Sequence, residues 1–221
     1  MKKIKQVMLS GAILLLLSFA GCVMLAVRFL FTGSLAYLYL IWNLFLAWIP
    51  LIFAVVIYYK FGFKSSLARG DWIPGTFFGL VWLIFYPNAP YMITDFIHIR
   101  RGTTLLVWYD FIIFSLFIIT AFIIGFISLY LLHRVVATIS KSRIVGWSFA
   151  LGVQLLSGFG IYLGRVKRWN SWDMLFDPIV LLNGVLDNLH YRPLIFSLLF
   201  GTFLILTYTA MYSLTVLNRE R

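Results

Sequence analysis

Leu105-Leu-Val-Trp-Tyr-Asp110-Phe-Ile-Ile-Phe-Ser115-Leu-Phe-Ile-Ile-Thr120-Ala-Phe-Ile-Ile-Gly125-Phe-Ile-Ser-Leu-Tyr130-Leu131 carries one charged residue, Asp110. A hydrocarbon core about 30 Å thick is crossed by a helix of roughly 20 apolar residues, and this stretch is long enough. In water, a helix apolar on every side would need burial on every side. In lipid it needs only an internally hydrogen-bonded backbone, which a helix supplies.

The rest of the chain agrees with that reading. Of its 221 residues 62% are hydrophobic and 11% charged, with a mean hydropathy of +0.98, well outside the composition of a soluble domain. Five further apolar runs flank the first, giving six expected spans at 7–31, 36–59, 73–86, 105–131, 144–164 and 194–216. The expectation is an all-α, polytopic transmembrane bundle forming a single integral membrane domain over 1–221. The third span is short because Pro87 and Pro90 cut it within Tyr86-Pro87-Asn88-Ala89-Pro90-Tyr91, where a missing N–H and a restricted preceding residue both oppose helix. A break is expected there, packed in protein or lying in the interface as a re-entrant turn.

The formal net charge is +11. The basic residues sit between apolar runs and form no continuous face, so nucleic acid is not an expected partner; membrane lipids with anionic headgroups are, and a membrane protein partner fits as well. One side collects eleven Lys and Arg from the N-terminus (Lys2, Lys3, Lys5), the second and fourth loops and the C-terminus, against seven on the other. Both termini are therefore expected on the cytoplasmic side. Met-Lys-Lys-Ile-Lys5 followed by Phe19-Ala-Gly-Cys22 resembles a lipoprotein signal, but the apolar residues after Cys22 favour an uncleaved first helix. As the only cysteine, Cys22 allows no disulfide within the chain.

Five of the seven acids fall on the outer side, namely Asp95, Asp110, Asp173, Asp177 and Asp187, with His98 and His190. Thr94-Asp95-Phe-Ile-His98 opens a short helix in which Thr94 or Asp95 is the cap and Asp95 and His98 share a face. Capping is the simpler role for that Asp. Asp110 in Trp108-Tyr-Asp110 is either a first-turn residue favoured by the helix dipole or a deeper intramembrane acid, and both readings stay open. Ser157-Gly-Phe-Gly160-Ile-Tyr-Leu-Gly164-Arg165 has the small residues of a closely packed helix, which is expected at the centre of the bundle. Beyond it Arg165, Lys167 and Arg168 suit carboxylates within the chain or a lipid phosphate, the former favoured. Asp177-Pro178 starts an amphipathic interfacial helix over 178–190 that carries Asp187 and His190 on its polar side. His133 reads as a terminal interfacial residue on the opposite side.

Together Asp95, His98, Asp110, Asp173, Asp187 and His190 are the candidate catalytic residues. No phosphate-binding loop, dinucleotide glycine motif, His-Glu-x-x-His motif or nucleophile elbow accompanies them, and the cofactor and metal stay open. The stretches 86–98, 108–110, 157–165 and Arg168-Trp-Asn-Ser-Trp-Asp173, in that order, resemble the DUF1361 family of bacterial predicted membrane proteins. The resemblance covers most of the chain and weakens over the first and last helices. It implies a bacterial inner (plasma) membrane setting and brings no catalytic residue with it. The leading expectation is a non-enzymatic accessory, assembly or lipid-binding membrane subunit. An intramembrane hydrolase or transferase acting on lipid-linked substrates, with these residues as metal ligands or as acid and base, is the alternative, and a transporter, with no clear internal repeat and few mid-span charges, is the weaker one.

Overall fold

The computed structural model describes residues 2–64, 68–99, 104–166 and 191–217. Among them every element is helical: α1 (Lys2–Thr32), α2 (Tyr39–Phe61), α3 (Arg69–Phe85), the short α4 (Asn88–Tyr91), a 3-10 helix η1 (Met92–His98), α5 (Thr104–Ile139), α6 (Arg143–Val166) and α7 (Tyr191–Leu217). Six stretches are long and apolar enough to cross a membrane, the third being Gly70–His98 with α3, α4 and η1 in series. The chain is a multi-pass helical bundle. The expected interfacial helix 178–190 lies outside the described residues.

Helix ends follow local chemistry. α1 stops at Gly33, whose φ of 65° is left-handed and whose N–H donates to the Phe29 carbonyl at 2.7 Å, a glycine C-cap. α3 starts where Asp71 accepts the Ala68 N–H at 3.0 Å and pairs with Lys64 at 2.7 Å.

The expected break is present, since α3 ends at Phe85 and α4 starts at Asn88, but it is mild. Pro87 keeps helical angles, φ −59° and ψ −21°, and the Asn88 side-chain amide donates to the Phe85 carbonyl at 2.9 Å, satisfying an acceptor that the helix end releases. The chain therefore changes course without leaving helical geometry. It is packed in protein: a Cβ on Gly125 of α5 would lie 2.9 Å from the Ala89 methyl, and one on Gly160 of α6 would lie 3.0 Å from the Pro87 ring. Those two glycines make the seat for the kink.

α5, not α6, is the central helix, with 56% of its apolar window buried against 39% for α6. Ile113, Phe114, Phe117, Ile118, Ala121 and Ile124 fill the core between α1 and α2, and Leu129, Leu132 and Val135 continue into a second core with α2, α3, α6 and α7. The glycines of α6 serve a tighter but more peripheral contact. A Cβ on Gly158 would lie 2.5 Å from the Ser197 carbonyl oxygen of α7, so the two backbones touch there.

His133 is buried inside the bundle, six residues before the end of α5. Its Nδ1 and the Tyr208 hydroxyl are 2.8 Å apart, and the rings of Trp147 and Tyr212 enclose it at centroid distances of 4.9 and 5.4 Å.

Candidate functional site

The end of the bundle where α1 and α6 finish and α2 and α5 begin holds two ion pairs. The first joins α1 and α5 within their apolar runs. Arg28 of α1 donates from Nε to Asp110 Oδ1 at 2.6 Å and from Nη2 to Oδ2 at 3.1 Å, the two-pronged geometry that suits guanidinium and carboxylate. The guanidinium also lies 4.2 Å above the Tyr37 ring. One turn away, the Tyr109 hydroxyl donates to the Met24 carbonyl at 2.9 Å. Asp110 is the seventh residue of α5, which starts at Thr104, so it lies past the first turn and is not a cap. It is a buried acid inside an apolar helix, held by a cation.

The second pair is built on η1. Three residues per turn place Asp95 and His98 one above the other, and both side chains line the same cleft. The helix begins at Met92 rather than at Thr94, and the Thr94 hydroxyl donates to the Tyr91 carbonyl at 2.7 Å. Neither Thr94 nor Asp95 is therefore a cap. The Asp95 carboxylate instead accepts from Asn43 Nδ2 of α2 at 3.0 Å and from Arg165 Nη2 of α6 at 3.3 Å. Arg165 also donates from Nη2 to the Thr94 carbonyl and from Nη1 to the Tyr91 hydroxyl at 3.2 Å. One guanidinium thus ties α6 to three residues of the α4–η1 segment.

Around this pair lies a cleft of about 390 Å³, lined by Ala36, Tyr37, Tyr39, Asn43, Tyr91, Asp95, His98 and Arg165. Two of its donors are matched by nothing among the described residues, the Tyr39 hydroxyl and Arg165 Nε, and both atoms are shielded from solvent. The Tyr39 ring meets the His98 ring edge-on, with centroids 5.8 Å apart. The lining has one carboxylate and one guanidinium, whose charges cancel. The oxygens of a net-neutral polar group placed here would supply the missing acceptors without adding an unbalanced charge.

The structure thus gathers Asp95, His98 and Arg165 and sets Asp110 apart with Arg28, on the far side of Tyr37. Asp173, Asp187, His190, Lys167 and Arg168 lie outside the described residues. Among the described residues no three His, Cys, Asp or Glu gather as metal ligands. Sequence reasoning missed Arg28, Tyr39 and Asn43. A signal existed for Arg28, since a lone cation in one apolar run calls for a lone acid in another. None existed for Tyr39 or Asn43, which look like ordinary residues of a span.

Of the motif stretches, 86–98 gives the cleft Tyr91, Asp95 and His98, Tyr109 and Asp110 fasten α5 to α1, and 157–165 delivers Arg165; the fourth, 168–173, lies outside the described residues. No curated protein and no solved structure matches the chain. A family model described as a protein of unknown function (DUF1361) matches residues 42–207, which takes in Asn43, Tyr91, Asp95, His98 and Arg165 and leaves Arg28, Tyr37 and Tyr39 outside. With three quarters of its length matched, the chain belongs to the DUF1361 family.

Proposed function

We propose that this is a non-enzymatic, lipid-binding protein of the bacterial plasma membrane, with both termini cytoplasmic and the cleft open to the outer leaflet, where it holds a lipid's polar headgroup. The observation that carries this reading is a pair of shielded donors with no partner among the described residues, the Tyr39 hydroxyl and Arg165 Nε, on the wall of a polar cleft at a bundle end. A headgroup phosphate or hydroxyl offers acceptors to both. The cleft sits where a span meets its loop, the depth at which headgroups lie. The Lys and Arg distribution supports the orientation: Lys60, Lys64, Arg134, Lys141 and Arg143 all belong to the opposite end.

Both described aspartates of the candidate set are occupied by arginine, Asp110 at two points and Asp95 at one, which favours binding over acid–base chemistry. The experiment is lipid analysis by native mass spectrometry of the full chain purified in mild detergent. Tyr39→Phe removes one unmatched donor and no described hydrogen bond, and Arg165→Lys removes the fork while keeping the charge. The expected result is a several-fold loss of bound lipid in each. Retention equal to the parent in Tyr39→Phe overturns the reading.

A further inference from the structure

The opposite end of the bundle carries a second, apolar concavity. α3 packs on α2, while α6 packs on α5 and α7, and a furrow of about 580 Å³ runs between α3 and α6 with α2 and α5 as its floor. Trp72, Gly79 and Leu83 line one wall, Phe149, Gly152 and Leu156 the other, and Phe61 and Ile139 the floor. A Cβ on Gly79 or Gly152 would meet nothing within 4 Å, so both glycines face open space. From Trp72 to Leu83 the helical rise spans about 16 Å, a length that suits acyl chain rather than a small solute.

The mouth of this furrow is cationic. The Lys60 ammonium lies 5.7 Å from the Phe61 ring and 5.9 Å from Phe78, and that of Lys64 lies 5.6 Å from Phe61. Lys64 pairs with Asp71; Lys60 has no carboxylate within salt-bridge distance among the described residues. On the other rim, Ile139 leads directly into the turn carrying the exposed Lys141 and Arg143. Trp72, 58% exposed, stands at the same level, as interfacial tryptophans do.

We propose that this furrow is a binding site for an anionic phospholipid, its acyl chain between α3 and α6 and its phosphate among Lys60, Lys141 and Arg143. The small-residue spacings Gly75-x-x-x-Gly79 and Ser148-x-x-x-Gly152 would also admit a helix, but a second copy brings the same cationic rim, and like charges repel. An anionic headgroup is the complementary occupant. This inference stands on residues separate from the polar cleft and does not depend on it.

The test titrates the detergent-solubilised full chain with short-chain phosphatidylglycerol and with phosphatidylcholine of equal chain length, read by native mass spectrometry. The parent binds the anionic lipid more tightly. Gly79→Leu with Gly152→Leu fills the furrow from within, in positions where a side chain meets no neighbour, and abolishes that binding. Lys60→Gln with Lys141→Gln leaves the furrow open and lowers the preference roughly 25-fold, at roughly fivefold for each basic group near an anionic surface. Tyr39→Phe leaves it unchanged, which separates this site from the cleft. Equal binding of the two lipids by the parent overturns the proposal. So does unchanged phosphatidylglycerol binding in the double leucine variant, including the case where that variant alters self-association instead.

Discussion

Arg28 and Asp110 form the most enclosed charge pair described, with side chains 7% and 3% exposed, and it gives a direct test of what joins α1 to the rest of the bundle. Replacing Asp110 by Leu leaves a guanidinium among apolar neighbours, above the Tyr37 ring and next to lipid-depth side chains. Breaking a buried pair from one side costs about 3–5 kcal/mol, because the remaining charge has been desolvated and has no counter-ion. Replacing Arg28 by Met strands the carboxylate at the same order of cost. The double variant Arg28→Met, Asp110→Leu removes both charges and keeps apolar volume, and such exchanges are often close to neutral. The expected pattern is two single variants destabilised by several kcal/mol and a double variant within about 1 kcal/mol of the parent, a coupling far beyond ordinary additivity error. For a chain of this length the single variants would melt on the order of 10 °C lower. The assay is reversible denaturant unfolding of the detergent-solubilised full chain, followed by circular dichroism, with thermal melts as a second reading. Single variants within about 1 kcal/mol of the parent, or a double variant costing the sum of the two, would refute the claim that this pair is a mutual fastening.

Gly158→Ala places a methyl against the Ser197 carbonyl and the Gly201 backbone, neither of which can swing away, so it should cost about 1–3 kcal/mol in the same unfolding assay. Gly152→Ala, on the same helix but facing open space, should be neutral or gain up to about 1 kcal/mol from helix propensity. Tyr208→Phe should lose about 1–2 kcal/mol because His133 Nδ1 keeps its burial and loses its partner. Tyr39→Phe, whose hydroxyl has no described partner, should melt at the parent temperature in delipidated protein. Gly33→Ala forces a side chain into the left-handed region at φ 65° and should cost about 1–2 kcal/mol, read from the melting temperature.

Spans were legible because lipid makes length and hydropathy sufficient: any long apolar run is a helix, whatever its periodicity. Their arrangement was not. Glycines in α6 pointed to the bundle centre, yet glycine reports only that two backbones meet, and at Gly158 they meet at the rim with α7. The centre belongs to α5, whose buried face is made of Ile, Phe and Ala that hydropathy alone does not separate from its lipid-facing residues. The prolines were rightly flagged as interrupting α3, but the course of the chain beyond them depended on Gly125 and Gly160, which lie far off in sequence. His133 looked terminal because its neighbour is Arg134. A space beside Gly146, where a Cβ would lie 2.9 Å from the imidazole, is what lets it fold inward.

The two arginine–aspartate pairs at the cleft end use one chemistry for different ends, and geometry tells them apart. Arg28 gives Asp110 two prongs, 2.6 and 3.1 Å long, within a shell of side chains that leaves little room for change. Arg165 gives Asp95 a single contact at 3.3 Å, is 17% exposed, and divides its remaining donors between a tyrosine hydroxyl and a backbone carbonyl. A carboxylate held that loosely can be drawn toward another donor at small cost, and a guanidinium whose Nε has no partner among the described residues can donate to a further oxygen without surrendering what it holds. Asn43 also donates to Asp95, at 3.0 Å and to the other carboxylate oxygen, so the carboxylate is held independently of Arg165. The first arrangement resists exchange and the second invites it, which is why the proposed headgroup site is built on Asp95, Arg165 and Tyr39 and not on Asp110.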